Sequence, residues 1–209
     1  TVTITRIAAP NAGTNGTLTA CSDDDPEPLI DHLGGTPDAG GTWTAPGGGA
    51  FAGTFDPTSD PPGVYTYTVA GTPPCTNATA TVTVGVNVAP DAGSNGAITV
   101  CSNTPSFDLS GQLGGSPDAG GAWTGPGGGA VSATYVPGSS TPGVYTYTVN
   151  GLPPCTNATA QVTVDQVQAP NAGTNRSFAV CSDDPVFDLV DELGGTPDAG
   201  GTWTGPGGF

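Results

Sequence analysis

Five cysteines are the side chains best equipped for covalent chemistry in this 209-residue chain, and their spacing is regular. Cys21, Cys101 and Cys181 stand 80 residues apart, as do Cys75 and Cys155. A thiol can act as a nucleophile, ligate a metal or form a disulfide, and its neighbours decide which. A nucleophile needs a base nearby. His32 is the only histidine, and the equivalent positions hold Gln112 and Glu192, so no repeated nucleophile–base pair exists. Zinc ligation is disfavoured because no Cys-x-x-Cys spacing occurs. Disulfides remain, and they imply an oxidising compartment outside the cytosol. Two frames fit the spacing: Cys21–Cys75 with Cys101–Cys155 inside units, or Cys75–Cys101 with Cys155–Cys181 across them. Each frame leaves one cysteine over.

The carboxylates are the next candidates. Asp23, Asp24 and Asp25 with Glu27, and Asp183 with Asp184, offer the hard oxygen ligands that calcium prefers. The middle copy reads Asn103-Thr104-Pro105 at that place, so any calcium site is absent or weaker there. Asp38, Asp118 and Asp198 recur within Pro-Asp-Ala-Gly-Gly and read as turn formers, whose side-chain oxygen fixes the local backbone. Sequons at Asn15, Asn77, Asn157 and Asn175 could accept glycans in a host that glycosylates them. Paired acids of a glycosidase are not indicated, since the acids lie in turn segments.

The elements that position these residues follow from the repeat. Trp43, Trp123 and Trp203 keep the 80-residue interval, as do the segments starting at Ala9, Ala89 and Ala169. The expected units are 10–89, 90–169 and a partial 170–209, with residues 1–9 aligning with 81–89 as the last strand of a preceding repeat. Thr17–Ala20, Val64–Val69 and Thr79–Val84 alternate polar with apolar residues, the period of strands having one buried face. The 35 Gly and 22 Pro would suggest disorder if unpatterned, but they cluster between the strands as turns. Leu29–Leu33, Leu109–Leu113 and Leu189–Leu193 fit either one helical turn or a short edge strand. Six or seven short strands in 80 residues indicate a two-sheet sandwich.

Charge excludes several partners. The net charge is −16, and Arg6 and Arg176 are the only basic side chains. No basic face can replace phosphate counterions, so nucleic acid is excluded, and anionic membranes are disfavoured on the same ground. No apolar run reaches the roughly 18 residues of a membrane-spanning helix, so no membrane insertion is expected. The opening TVTITRIAAP lacks the basic and apolar regions of a signal peptide.

The order of landmarks resembles an immunoglobulin-type domain. By that resemblance Cys21 would end strand B, and Trp43, Trp123 and Trp203 would fill core positions on strand C. Asp60-Pro61-Pro62-Gly63-Val64-Tyr65-Thr66-Tyr67 loosely resembles the strand-F motif, with Tyr65 and Tyr145 as tyrosine corners and Tyr67 and Tyr147 replacing its cysteine. In such a sandwich strand B ends at the pole where the F–G loop turns. The resemblance therefore implies pairing inside units, Cys21–Cys75 and Cys101–Cys155, with Cys181 unpaired within the chain.

The motif C-S followed by L-G-G-[TS]-P-D-A-G-G-x-W-T, P-G-V-Y-T-Y-T-V and P-P-C-T-N-A is similar to tandem immunoglobulin-like repeats of large secreted Bacteroidetes surface proteins. That group includes gliding-motility adhesins exported by type IX secretion. The resemblance implies an all-β fold of tandem immunoglobulin-like β-sandwich repeats stacked as a rod on a bacterial cell surface. It also implies a structural or adhesive stalk without catalysis, whose partners are further repeats or neighbouring filament subunits. Two alternatives are a calcium- and glycan-binding adhesion module and a strand-exchanging filament subunit. For the latter, residues 1–9 and 170–209 together are too short to complete one 80-residue unit end to end.

Overall fold

Threonine alternating with Val, Tyr or Ala builds the long strands, because β-branched and aromatic side chains pack well on a pleated surface. The computed structural model describes residues 1–206; positions 207–209, at the end of the third segment, lie outside the described residues. The first seven strands are β1 (Gly16–Cys21), β2 (Glu27–Pro28), β3 (Thr42–Thr44), β4 (Ala50–Phe51), β5 (Thr54–Phe55), β6 (Gly63–Val69) and β7 (Ala78–Asn87). The next seven repeat them: β8 (Gly96–Cys101), β9 (Phe107–Asp108), β10 (Ala122–Thr124), β11 (Ala130–Val131), β12 (Thr134–Tyr135), β13 (Gly143–Val149) and β14 (Ala158–Val167).

Each set of seven forms two sheets. One is five-stranded, in the order β1-β7-β6-β3-β4 and then β8-β14-β13-β10-β11; the other pairs β2 with β5 and β9 with β12. The architecture is thus an all-β, immunoglobulin-like sandwich in tandem, as the sequence indicates. Of the two readings left open for Leu29–Leu33 and Leu109–Leu113, the structure takes the single helical turn, and the short strand lies just ahead of it. A two-residue strand runs directly into a single 3-10 turn, Leu29–His32 and Leu109–Gln112.

Alternation decides what is buried. On β6, Tyr65, Tyr67 and Val69 point inward while Val64, Thr66 and Thr68 do not. They meet Ala80, Val82 and Val84 of β7, together with Leu29, Phe55 and Trp43. The second core uses Tyr145, Tyr147, Val162, Val164, Leu109, Tyr135 and Trp123. Among the described residues no polar or charged side chain is buried.

One strand differs from its expected identity. Cys21 does not end a B strand. It ends β1, which runs parallel to β7 in the register Gly16↔Val82 through Cys21↔Asn87. The B position falls to β2, which is only two residues long and contains Pro28, a residue without an N–H to continue a ladder. The parallel approach of β1 also demands a glycine. A Cβ on Gly16 would fall on the backbone carbonyl of His32, and one on Gly96 on that of Gln112. The third copy carries Arg176 at this place, and residues 176–181 form no strand; Phe178 and Val180 stand exposed.

Candidate functional site at the joint between units

The register of β1 fixes where its cysteine goes. Cys21 lies opposite Asn87, the last residue of β7 and the start of the connection to the second unit. Asp24 closes the turn that follows: its carboxylate accepts the Cys21 N–H at 2.7 Å, while its own N–H donates to the Cys21 carbonyl at 3.1 Å. Ser22 donates its N–H to the Asn87 carbonyl at 2.8 Å, and its hydroxyl accepts from the Ala89 N–H at 2.9 Å. The connector is therefore tied to the first unit before it enters the second.

The second unit meets this surface with the loop between β13 and β14. Asn87 donates its side-chain amide to the carbonyl of Pro153 at 2.8 Å. Cys155, two residues further on, forms a disulfide with Cys21, with Cα atoms 5.0 Å apart. Both half-cystines are buried. The bridge crosses the joint, which overturns the Cys21–Cys75 and Cys101–Cys155 pairing and also the Cys75–Cys101, Cys155–Cys181 frame. The reason is geometric. Because β1 is parallel to β7, Cys21 sits at the far end of β7 while Cys75 precedes its beginning at Ala78. Ten residues of strand separate the two levels, roughly 30 Å at about 3.3 Å per residue, against the ~7 Å a disulfide can span. Cys75, Cys101 and Cys181 are free thiols in this chain.

The aromatic residues singled out by spacing support the sandwich on either side of the joint. Trp43 packs tilted against Tyr67 with ring centroids 5.0 Å apart, and Trp123 against Tyr147 at 5.1 Å. The Tyr65 hydroxyl donates to the Pro61 carbonyl and that of Tyr145 to the Thr141 carbonyl, both at 2.7 Å and both four residues back. Tyr67 and Tyr147 reach the repeated Pro-Asp-Ala-Gly-Gly turn: each donates to the carbonyl of Asp38 or Asp118 at 2.7 Å and accepts from Gly41 or Gly121. Burial raises the Tyr65 phenol above its ordinary value of 10.0, with the Asp60 charge adding to it. Burial likewise raises Tyr135, and it raises Tyr145 with a smaller contribution from Tyr135. Trp203 is 54% exposed, lying in the third segment, where the described residues supply no sheet to cover it.

Several of the acids are engaged in turns. Asp38, Asp118 and Asp198 accept the backbone N–H of Asn11, Asp91 and Asn171 at 2.8–2.9 Å. Asp184 repeats the Asp24 bond to its own cysteine, Cys181, at 2.7 Å. In the middle copy the Thr104 hydroxyl takes that place, accepting from Cys101 at 3.2 Å. Asp23 lies near the Cys21–Cys155 sulfurs, and Asp183 with Asp184 near Cys181. The first pair of sulfurs is consumed by its own bond and offers no thiolate. Asp25 is exposed. His32 pairs at 2.9 Å with Glu27.

Two parallel-edged sandwiches joined by a bridge across their boundary define the class: tandem immunoglobulin-like units held in a covalent joint. No protein-family model matches the chain, and no curated protein sequence does. Among solved structures, the chain is similar to the I-band fragment I67–I69 of titin, at 9% identity and a TM-score of 0.44 over 78% of this chain and 65% of that one. It is also similar to the insect immune protein hemolin (14% identity, TM-score 0.41, 76% and 46% of the two chains). A third is Sidekick-1 immunoglobulin domains 1–5 (13%, 0.30, 81% and 43%). The chain thus spans under two thirds of the length of each. The sheet order described above carries the fold assignment.

Proposed function

We propose that this chain is a structural segment of an extracellular array, a stalk of stacked sandwiches displayed on a bacterial cell surface, without catalytic chemistry of its own. The observation that supports this reading is the joint. A disulfide between Cys21 and Cys155, the Asn87–Pro153 hydrogen bond and the Ser22 clamp on Ala89 restrain consecutive units directly. A chain built only to tether would need a flexible Gly/Ser linker. Here the connector Val88-Ala89-Pro90 is short and pinned. Disulfides persist in oxidising compartments, which fits the cell exterior. The resemblance to Bacteroidetes surface repeats supports type IX secretion and a role in adhesion or gliding as the wider setting. The −16 charge suits a surface-displayed rod that must not self-associate laterally.

Small-angle scattering of the oxidised and reduced chain tests the reading. The oxidised chain should give one elongated, rigid particle with a single preferred angle between units, and reduction should broaden that distribution. Scattering from the oxidised chain that fits two freely jointed units would overturn it.

A further inference from the structure

The Cys21–Cys155 bridge is made from two half-sites, and both recur in the chain without their partner. The first half is the loop cysteine. Its Sγ in Cys155 lies 3.5 Å from the carbonyl oxygen of Asn87, the residue opposite Cys21. Eighty residues earlier, the Cys75 Sγ lies 3.9 Å from the carbonyl of Ile7 and 3.8 Å from that of Ala8, the positions equivalent to Asn87 and Val88. The loops are built alike: Cys75 donates its N–H to Thr72 and Cys155 to Leu152, each at 2.9 Å, and Asn77 and Asn157 brace Gly71 and Gly151 at 3.0 Å. Residues 1–9 form no strand here and are exposed, but the first unit's loop cysteine already touches the two positions beside which a bridging cysteine would stand.

The second half is the strand cysteine. Cys101 ends β8 opposite Val167, as Cys21 ends β1 opposite Asn87. Ser102 donates to the Val167 carbonyl and accepts from Ala169, each at 2.9 Å, repeating the Ser22 clamp. The difference lies in cover: Cys21 is 2% exposed beneath the loop of the next unit, whereas Cys101 is exposed.

We infer that Cys75 and Cys101 are the two complementary halves of the same joint, each taking a disulfide from a further unit of this repeat stacked end to end. Cys75 receives the cysteine ending the first strand of a unit whose closing residues would be 1–9, the positions that align with 81–89, within which β7 ends. Cys101 receives the loop cysteine of the unit that begins at residue 170. The bonded Cys21–Cys155 pair is the independent evidence that these residue types, in these surroundings, bridge. The inference rests on the joint's geometry and holds whether or not the array is a stalk. Each bridge forms by thiol–disulfide exchange: two thiols give up two protons and two electrons to an oxidised disulfide such as oxidised glutathione, which leaves as two thiols.

Two extended chains test it. In one, a copy of residues 10–80 is placed ahead of Thr1, completing a unit whose tail is residues 1–9. In the other, a copy of residues 130–169 follows Phe209 and completes the third unit. Both are refolded with oxidised and reduced glutathione, and free thiols are counted by alkylation and mass spectrometry, with bridges mapped in non-reduced digests. The present chain has three free thiols. The first extension adds two cysteines yet should still show three, with Cys75 bonded to the copied Cys21. The second adds one and should show two, with Cys101 bonded to the copied Cys155. Blue-shifted fluorescence as Trp203 becomes covered reports folding of the completed third unit independently of any bridge. A folded extension in which Cys75 or Cys101 stays alkylatable overturns the inference, as does capture of either cysteine in chain-to-chain dimers while the added cysteine remains free.

Discussion

Reduction of the Cys21–Cys155 bridge offers a measurable consequence whose size follows from the structure. The cysteines are 134 residues apart, but that is not the loop that matters when one unit unfolds. Asn87 sits against both partners, opposite Cys21 in the sheet and 3.5 Å from the Cys155 sulfur. Asn87 and Cys155 are 68 residues apart, which leaves 66 of the 134 between Cys21 and Asn87. Whichever unit opens while the other stays folded, the bridge closes a loop of nearly the same size. In the chain-entropy model such a loop stabilises each unit by about 4 kcal/mol. For an 80-residue unit that corresponds to roughly 20 °C in melting temperature. Calorimetry of the oxidised chain against the same chain in a phosphine reductant should show both units losing stability together. Cys75→Ala should leave the oxidised melt unchanged, whereas Cys21→Ala with Cys155→Ala should reproduce the reduced one. Coincident oxidised and reduced melts would refute the loop argument, and a loss on Cys75→Ala alone would refute the pairing.

Three further outcomes are expected. Gly16→Ala should lower stability by about 2 kcal/mol in urea unfolding, because the new Cβ falls on the His32 carbonyl and β1 must move off the sheet. Tyr67→Phe should cost about 1–2 kcal/mol by the same assay, since the Gly41 N–H and the Asp38 carbonyl both lose their partner; an unchanged midpoint would show that water replaces the hydroxyl. Alkaline pH should unfold the chain. Tyr65, Tyr135 and Tyr145 hold their protons more tightly folded than unfolded, so their contribution is intact below pH 10 and is lost as pH rises through their higher folded values. Tyrosinate absorbance should therefore rise together with loss of near-ultraviolet dichroism, and a rise that leaves the fold intact would count against this.

Much of the fold was legible because side-chain alternation reports burial directly. Val64–Val69 lies inside β6 and Thr79–Val84 inside β7, with Tyr65 and Tyr67 facing the core as their period of two requires. The Pro-Asp-Ala-Gly-Gly turns were equally readable, since an Asp beside Gly-Gly has few other uses. The joint was not legible. Alternation in Thr17–Ala20 marks a strand, but it says nothing about which neighbour the strand takes or in which direction. That choice rests on Gly16 admitting the His32 carbonyl and on β7 running on to Asn87, contacts made over long sequence separations. Assigning the strand to position B instead of the edge beside β7 moves Cys21 from one pole of the sandwich to the other, and the cysteine pairing changes with it.

The bridge also determines how the chain responds to being pulled. Along the covalent chain, tension entering at β1 reaches Cys21, crosses the sulfurs to Cys155 and leaves through β14, so it cannot draw out the polypeptide between the two cysteines. Fully drawn out, that stretch would add roughly 450 Å of length at about 3.4 Å per residue. While the bridge holds, that slack cannot be released, and the segment behaves mechanically as a link of fixed length whose give is governed by redox chemistry.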